Sequence, residues 1–234
     1  MQLAAFILIA TFFAGYFLTD LMISSRLKVL LDFSLLSYQI FEFCFILFFV
    51  IPFFTNQENI KTISLFLTKP ISRATFLAGV YTGFLTILFS AALIFSFTYI
   101  FAIWAISGFF MPHLLIGFGV IFIESVFLTS IALAASLLFP HLIAYGILFA
   151  AYIISYTSHS WLMLVIKKAN TIGALLAYIL YWLLPDLSLL DIKSHIIYQL
   201  PFSFTNLLLS VAYTTTISSL FFILSLLIFG CKRV

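Results

Sequence analysis

The 234-residue chain is 65% hydrophobic and only 7% charged, with a mean hydropathy of +1.29. So little charge cannot cover a soluble domain of this length, and a formal charge of +3 dispersed along the chain offers no basic patch for nucleic acid. Runs of about 20 residues that are apolar all round, rather than alternating, predict an all-α polytopic membrane protein and argue against a barrel.

A first span is predicted at residues 3–23. No Lys or Arg precedes it and no small-residue cleavage site follows it, so it reads as a retained span rather than a signal peptide. A polar stretch with Ser24, Ser25, Arg26, Lys28 and Asp32 leads to span 2 at 35–54, which carries Glu42. After a polar hinge, span 3 covers 74–106, longer than a bilayer requires, with Trp104 suited to the interface. Gly108, Met111, Pro112 and His113 make the next turn. Span 4 follows at 114–139, with Glu124 near its middle, and Pro140 and His141 allow a tight turn into a short span 5 at 141–157.

Residues 161–166 are apolar but too few to cross, and Lys167 and Lys168 follow. The apolar run 172–184 is also short, the size of a re-entrant or interfacial piece. Pro185, Asp186, Asp191, Lys193 and His195 break the pattern before span 6 at 201–230. Six spans put both termini on one side; a seventh crossing by 172–184 is the alternative. Cation counts do not choose an orientation, because Lys61, Lys69, Arg73, Lys232 and Arg233 balance Arg26, Lys28, Lys167, Lys168 and Lys193. Cys44 lies in an apolar run and Cys231 near the C-terminus, so no disulfide is expected.

The hinge, residues 56–79, is the longest polar interruption in the first half. Thr55-Asn56-Gln57-Glu58 fits a capping box, in which Thr55 would accept from the Glu58 amide. Ile60, Ile63 and Leu67 share one helical face with Phe66 beside them, while Gln57, Lys61, Ser64 and Thr68 share the other. Pro70 ends the element, Lys69 sits near its carbonyl end, and Ser72 is placed to cap the next helix. The pattern suits an amphipathic connector on the lipid surface, and equally a docking helix for a partner.

Of the ionisable residues inside the spans, Glu124 is the deepest, with Ser125, Thr129 and Ser130 nearby. It reads either as a lining residue of a pathway or as a protonated, hydrogen-bonded structural group. Glu42 is less deep and suits a structural pairing. His113, His141, His159 and His195 have no metal-ligand spacing on a helix. Thr157-Ser158-His159-Ser160 has no acid beside it, which makes a nucleophilic site there a poor fit.

The stretch Ile63-Ser64-Leu65-Phe66-Leu67-Thr68-Lys69-Pro70-Ile71-Ser72-Arg73, followed by Phe76-Leu77-Ala78-Gly79, resembles the ABC-2 type transporter permeases. Val80 stands where that family usually has Lys. Asp32-Phe33-Ser34-Leu35, Leu184-Pro185-Asp186-Leu187 with Leu190-Asp191, and Phe229-Gly230-Cys231-Lys232-Arg233 resemble, in the same order, motifs of the branch of multicopper-enzyme-maturation permeases. The family's elbow segment before span 1 has no counterpart in Met1 and Gln2, so its contacts are not carried over.

The resemblance implies a six-span permease subunit of an ATP-binding cassette transporter in the bacterial cytoplasmic membrane. It implies a homodimer or a heterodimer with a second permease, paired with cytoplasmic ATPase subunits and embedded in lipid. The hinge becomes a cytoplasmic coupling helix, with Glu58, Ile60, Ile63, Phe66, Leu67, Lys69, Pro70 and Arg73 as the ATPase-coupling residues, and 172–184 becomes an outer re-entrant element. Glu124 and Glu42 are then pathway candidates. The chain has no G-x-x-x-x-G-K-[ST] loop, so ATP and Mg²⁺ are expected on the partner ATPase, with no cofactor and no catalysis on this chain. The competing expectations are an intramembrane enzyme using Glu124 or His159 on a lipid-linked substrate, and a passive channel or structural subunit.

Overall fold

The computed structural model describes residues 26–56, 72–108, 110–168, 186–190, 193–197 and 203–231. The predicted first span, most of the hinge and the 172–184 run lie outside the described residues. Among those described, every regular element is helical: α1 (Arg26–Phe45), a π-helical turn (Ile46–Val50), α2 (Ile51–Thr55), α3 (Arg73–Ser107), α4 (His113–Leu138), α5 (His141–Lys168), a 3-10 turn (Ser188–Leu190), α6 (Lys193–Ile197) and α7 (Phe204–Cys231). Four stretches among them are long and apolar enough to cross a membrane: Lys28–Thr55, Arg73–Ala105, His113–Leu138 and Phe204–Cys231. The apolar part of α5, His141–Thr157, is shorter. These helices fit a multi-pass membrane protein.

Local chemistry explains the helix limits. Pro52 has no N–H to donate, and its ring crowds the carbonyl of Phe48 one turn back. The chain answers by widening to a π turn just before it, where the Ile51 N–H reaches the Ile46 carbonyl. Ser72 caps α3 as expected: its backbone is extended and its Oγ accepts from the Thr75 N–H at 3.1 Å. At the other end of α3, Gly108 takes φ 72°, a left-handed position that favours glycine, and its N–H returns to the Trp104 carbonyl at 2.8 Å.

Two helices run beyond the apolar runs predicted for them, and one expectation, the capping box at Thr55, is corrected. The described residues before span 2, from Arg26 to Ser34, are already helical and continuous with it. The Ser34 and Ser37 hydroxyls donate to the carbonyls of Leu31 and Ser34 at 2.6 and 2.7 Å, so these polar side chains are satisfied within the helix. The polar cluster at 157–160 does not interrupt α5, and the Thr157 hydroxyl donates to the Ile153 carbonyl in the same way. Thr55 is not an N-cap: it is the last residue of α2, its hydroxyl donates to the Ile51 carbonyl at 2.9 Å, and the chain leaves the helix at Asn56.

Helix α4 runs through the middle of the bundle and packs against α1, α2, α3, α5 and α7; every residue from Phe127 to Leu137 is buried. Against it α7 buries Ser210, Thr214, Ser218, Ser225 and Phe229. Lipid tails are as apolar as Leu, so helices in a bilayer gain most where small residues let backbones approach. The four hydroxyls on that face donate to carbonyls one turn back, at 2.7–2.9 Å, and so are satisfied within their own helix. The outward faces of α3 and α7 expose Phe97, Phe101, Leu208, Leu209 and Leu220, as lipid contact requires.

The helices alternate in direction. Phe54, Leu77, Tyr81, Leu133, Leu137 and Phe229 cluster where α2, α4 and α7 end and α3 begins. The opposite end is covered by residues 186–190 and 193–197, where the Leu187 N–H donates to the Ser155 carbonyl at 3.0 Å. There Ile196 and Leu35 close on Gly117, where a Cβ would stand 2.8 Å from both Ile196 Cδ1 and Leu35 Cδ2.

Candidate functional site

Of the eight expected coupling residues, Glu58, Ile60, Ile63, Phe66, Leu67, Lys69 and Pro70 lie outside the described residues. Arg73 is the first residue of α3, and its Nη1 points to the Gly230 carbonyl at 3.5 Å. A cation there faces the negative end of the α7 dipole. Phe76, one turn on, stacks on Phe229 with ring centroids 6.2 Å apart, and Phe54 meets the same ring edge-on at 6.4 Å. The two helix ends flanking the hinge therefore share one aromatic anchor on α7. Beside them Pro52, Thr55, Asn56, His141 and Tyr145 line an open cleft of about 430 Å³.

Both expected pathway residues are inside the chain's own bundle. Glu124 is 2% exposed, and Tyr156 donates to its Oε2 at 2.8 Å. Gln39 from α1 donates to both carboxylate oxygens, at 3.3 and 3.5 Å, and lies 3.0 Å from the Tyr152 hydroxyl and 3.4 Å from that of Tyr156. One amide thus ties α1 to α4 and α5. From the covering segment, the Lys193 ammonium donates to Gln39 Oε1. The set draws on four helices and on residues up to 154 positions apart in sequence.

Glu42, one turn beyond Gln39 on α1, is fully buried, and neither carboxylate oxygen has a hydrogen-bond partner among the described residues. It is in electrostatic reach of Glu124, Lys193 and Tyr156. Among the described residues, then, Glu42 has electrostatic neighbours but no hydrogen-bonded pairing of the kind expected. Its neighbour Tyr38 is committed elsewhere, donating to the Leu88 carbonyl at 3.1 Å and packing on Phe95 and Phe118.

Gln39, Tyr152, Tyr156 and Lys193 were not singled out as site residues from sequence. The signal was present: Gln39 and Glu42 are three apart and Tyr152 and Tyr156 four apart, so each pair shares a helix face. Among the described residues no group of three or more His, Cys, Asp and Glu is placed to hold a metal ion. His159 belongs to α5, and the surroundings of its side chain lie outside what is described. Chemically, the set offers carboxyl, amide and phenol oxygens around a buried point already touched by one ammonium.

No protein-family model, curated protein or solved structure matches the chain.

Proposed function

We propose that this chain is the membrane subunit of an ATP-binding cassette transporter of the ABC-2 type, driven by ATPase subunits on separate chains. The observation that carries this reading is the Lys69-Pro70-Ile71-Ser72-Arg73 block, which runs straight into the capped start of α3. A force applied to the 57–71 segment would enter α2 through Asn56 and α3 through Ser72. Both ends bear on Phe229 of α7, so three helices would receive it together. The remaining parts of the reading follow the resemblance: six spans, a cytoplasmic hinge and a bacterial inner membrane. A dimer pathway lined by Glu124 would require α1, α4 and α5 to part, because the residue is sealed among them.

The test is ATP turnover in proteoliposomes holding this chain with its ATPase. Ile63→Asp and Phe66→Asp are expected to abolish transport-linked turnover while leaving the protein folded in the membrane. Unchanged linked turnover in both would refute the coupling role.

A second reading, an intramembrane enzyme, is favoured by one observation: Glu124, Tyr156, Gln39 and Lys193 do converge. Turnover of a lipid-linked substrate by the chain alone, without ATP and lost in Glu124→Gln, would support it over the permease.

A further inference from the structure

The geometry points to a binding site for a primary ammonium group inside the bundle, formed by Glu42, Glu124, Gln39, Tyr152 and Tyr156 and reached in this structure by the chain's own Lys193 at Gln39. Glu42 is the group left without a partner. Both its oxygens are buried and unpartnered among the described residues, a situation that is costly for a polar group and calls for an explanation such as a ligand that supplies the partner. It lies in electrostatic reach of Glu124, so two carboxyl groups share one low-dielectric space. Such a pair favours a cation between or beside them.

A cation is in fact there. The Lys193 ammonium donates to Gln39 Oε1, and the same Gln39 donates through Nε2 to Glu124, so the amide relays the cation's position to the carboxylate. Lys193 also acts electrostatically on Glu42. The lining chemistry matches an ammonium better than a bare metal ion. It combines an amide oxygen, two phenol oxygens and carboxylates with aromatic rings, Tyr152 and Tyr156 being 5.1 Å apart and Phe43 5.2 Å from Tyr152.

Lys193 is carried by a short piece packed on the end of the bundle. It belongs to α6, a helix of five residues. That piece is held on the bundle by Ile196 in the Gly117 notch, by the Leu187 amide on the Ser155 carbonyl, and by Lys193 itself. An amine entering the site would compete with Lys193 and loosen the cover, so ligand and latch exclude each other. The inference stands apart from the permease reading, because the site lies wholly within this chain and its test needs no ATPase.

The test uses the full chain in lipid nanodiscs at fixed pH and ionic strength, with n-butylammonium as the probe. In Lys193→Met, which keeps the stem and removes the cation, butylammonium is expected to raise the unfolding temperature in a saturable way, while butanol and potassium do not. The effect should vanish when Glu42→Gln is added. A second measurement covers the case in which Lys193→Met does not fold. Ile196→Cys, in a background of Cys44→Ala and Cys231→Ser, reports on the cover through its maleimide reactivity with Lys193 in place. Butylammonium is expected to accelerate that reaction several-fold. No stabilisation of the folded variant, or no acceleration at Ile196→Cys, overturns the site. Equal effects of potassium and butylammonium overturn its assignment to ammonium.

Discussion

The Tyr156 hydroxyl donates to Glu124 Oε2 at 2.8 Å, joining the middle of α5 to the middle of α4. This bond gives a carboxylate deep in an apolar helix a partner from a neighbouring span. Tyr156→Phe removes one donor and leaves Gln39 in place, so a loss of about 1 kcal/mol in unfolding free energy is expected. Glu124→Ala strips the acceptor from Gln39 and Tyr156 together, and a larger loss of about 2–3 kcal/mol is expected. Unfolding of the single and double variants in mixed micelles checks this; the two losses should fall short of additivity, because one interaction is counted twice.

Glu42 is predicted to behave in the opposite way. Its carboxyl group makes no hydrogen bond among the described residues, so Glu42→Met removes a desolvation penalty that outweighs the loss of its attraction to Lys193 and keeps the volume. The variant should be neutral or more stable by up to about 2 kcal/mol, measured by the same unfolding assay. A loss as large as that of Glu124→Ala would mean that Glu42 holds the bundle together.

At the covered end, Gly117→Ala sets a methyl 2.8 Å from Ile196 Cδ1 and Leu35 Cδ2. Both atoms are the far ends of flexible side chains, so a modest loss of about 1–2 kcal/mol is expected. Ile196→Val removes one of the two offending atoms. The double variant should therefore be more stable than Gly117→Ala alone, as thermal unfolding would reveal.

Ser72→Ala removes the acceptor of the Thr75 amide at the start of α3. A loss of about 1 kcal/mol is expected, with Ser72→Asp retaining most of the stability. Hydrogen exchange is the direct readout: the Thr75 amide should exchange faster in Ser72→Ala, while amides in the middle of α3 keep their protection.

The parts of this fold that were legible in sequence are those written in single residues. Ser72 and Gly108 announce the two ends of α3, and four of the predicted spans coincide with helices long and apolar enough to cross. Helix limits at polar stretches were not legible, because hydropathy measures solubility in lipid and not backbone hydrogen bonding. Arg26–Asp32 is polar and nonetheless helical, with Lys28 and Asp32 exposed beside buried Leu30 and Leu31. The same holds for the polar residues within α5.

Glu124 stood out in sequence as a charge in an apolar run, but its partners did not. Which tyrosines reach it depends on the rotation of α5 against α4, set by packing far from the site. In sequence Lys193 is one member of a polar break, and nothing local to it signals that its ammonium meets Gln39, 154 positions away. The contact between Arg73 and Gly230 is of the same kind, a meeting of two helix ends distant in sequence.

The functional claim rests on a partner, and the most direct measurement is purification of the tagged chain from its native membrane. The account predicts that an ATPase bearing a phosphate-binding loop accompanies it in fixed stoichiometry, and that Ile63→Asp releases that ATPase while the chain stays in the membrane. A folded, membrane-embedded chain recovered without any ATPase would contradict it.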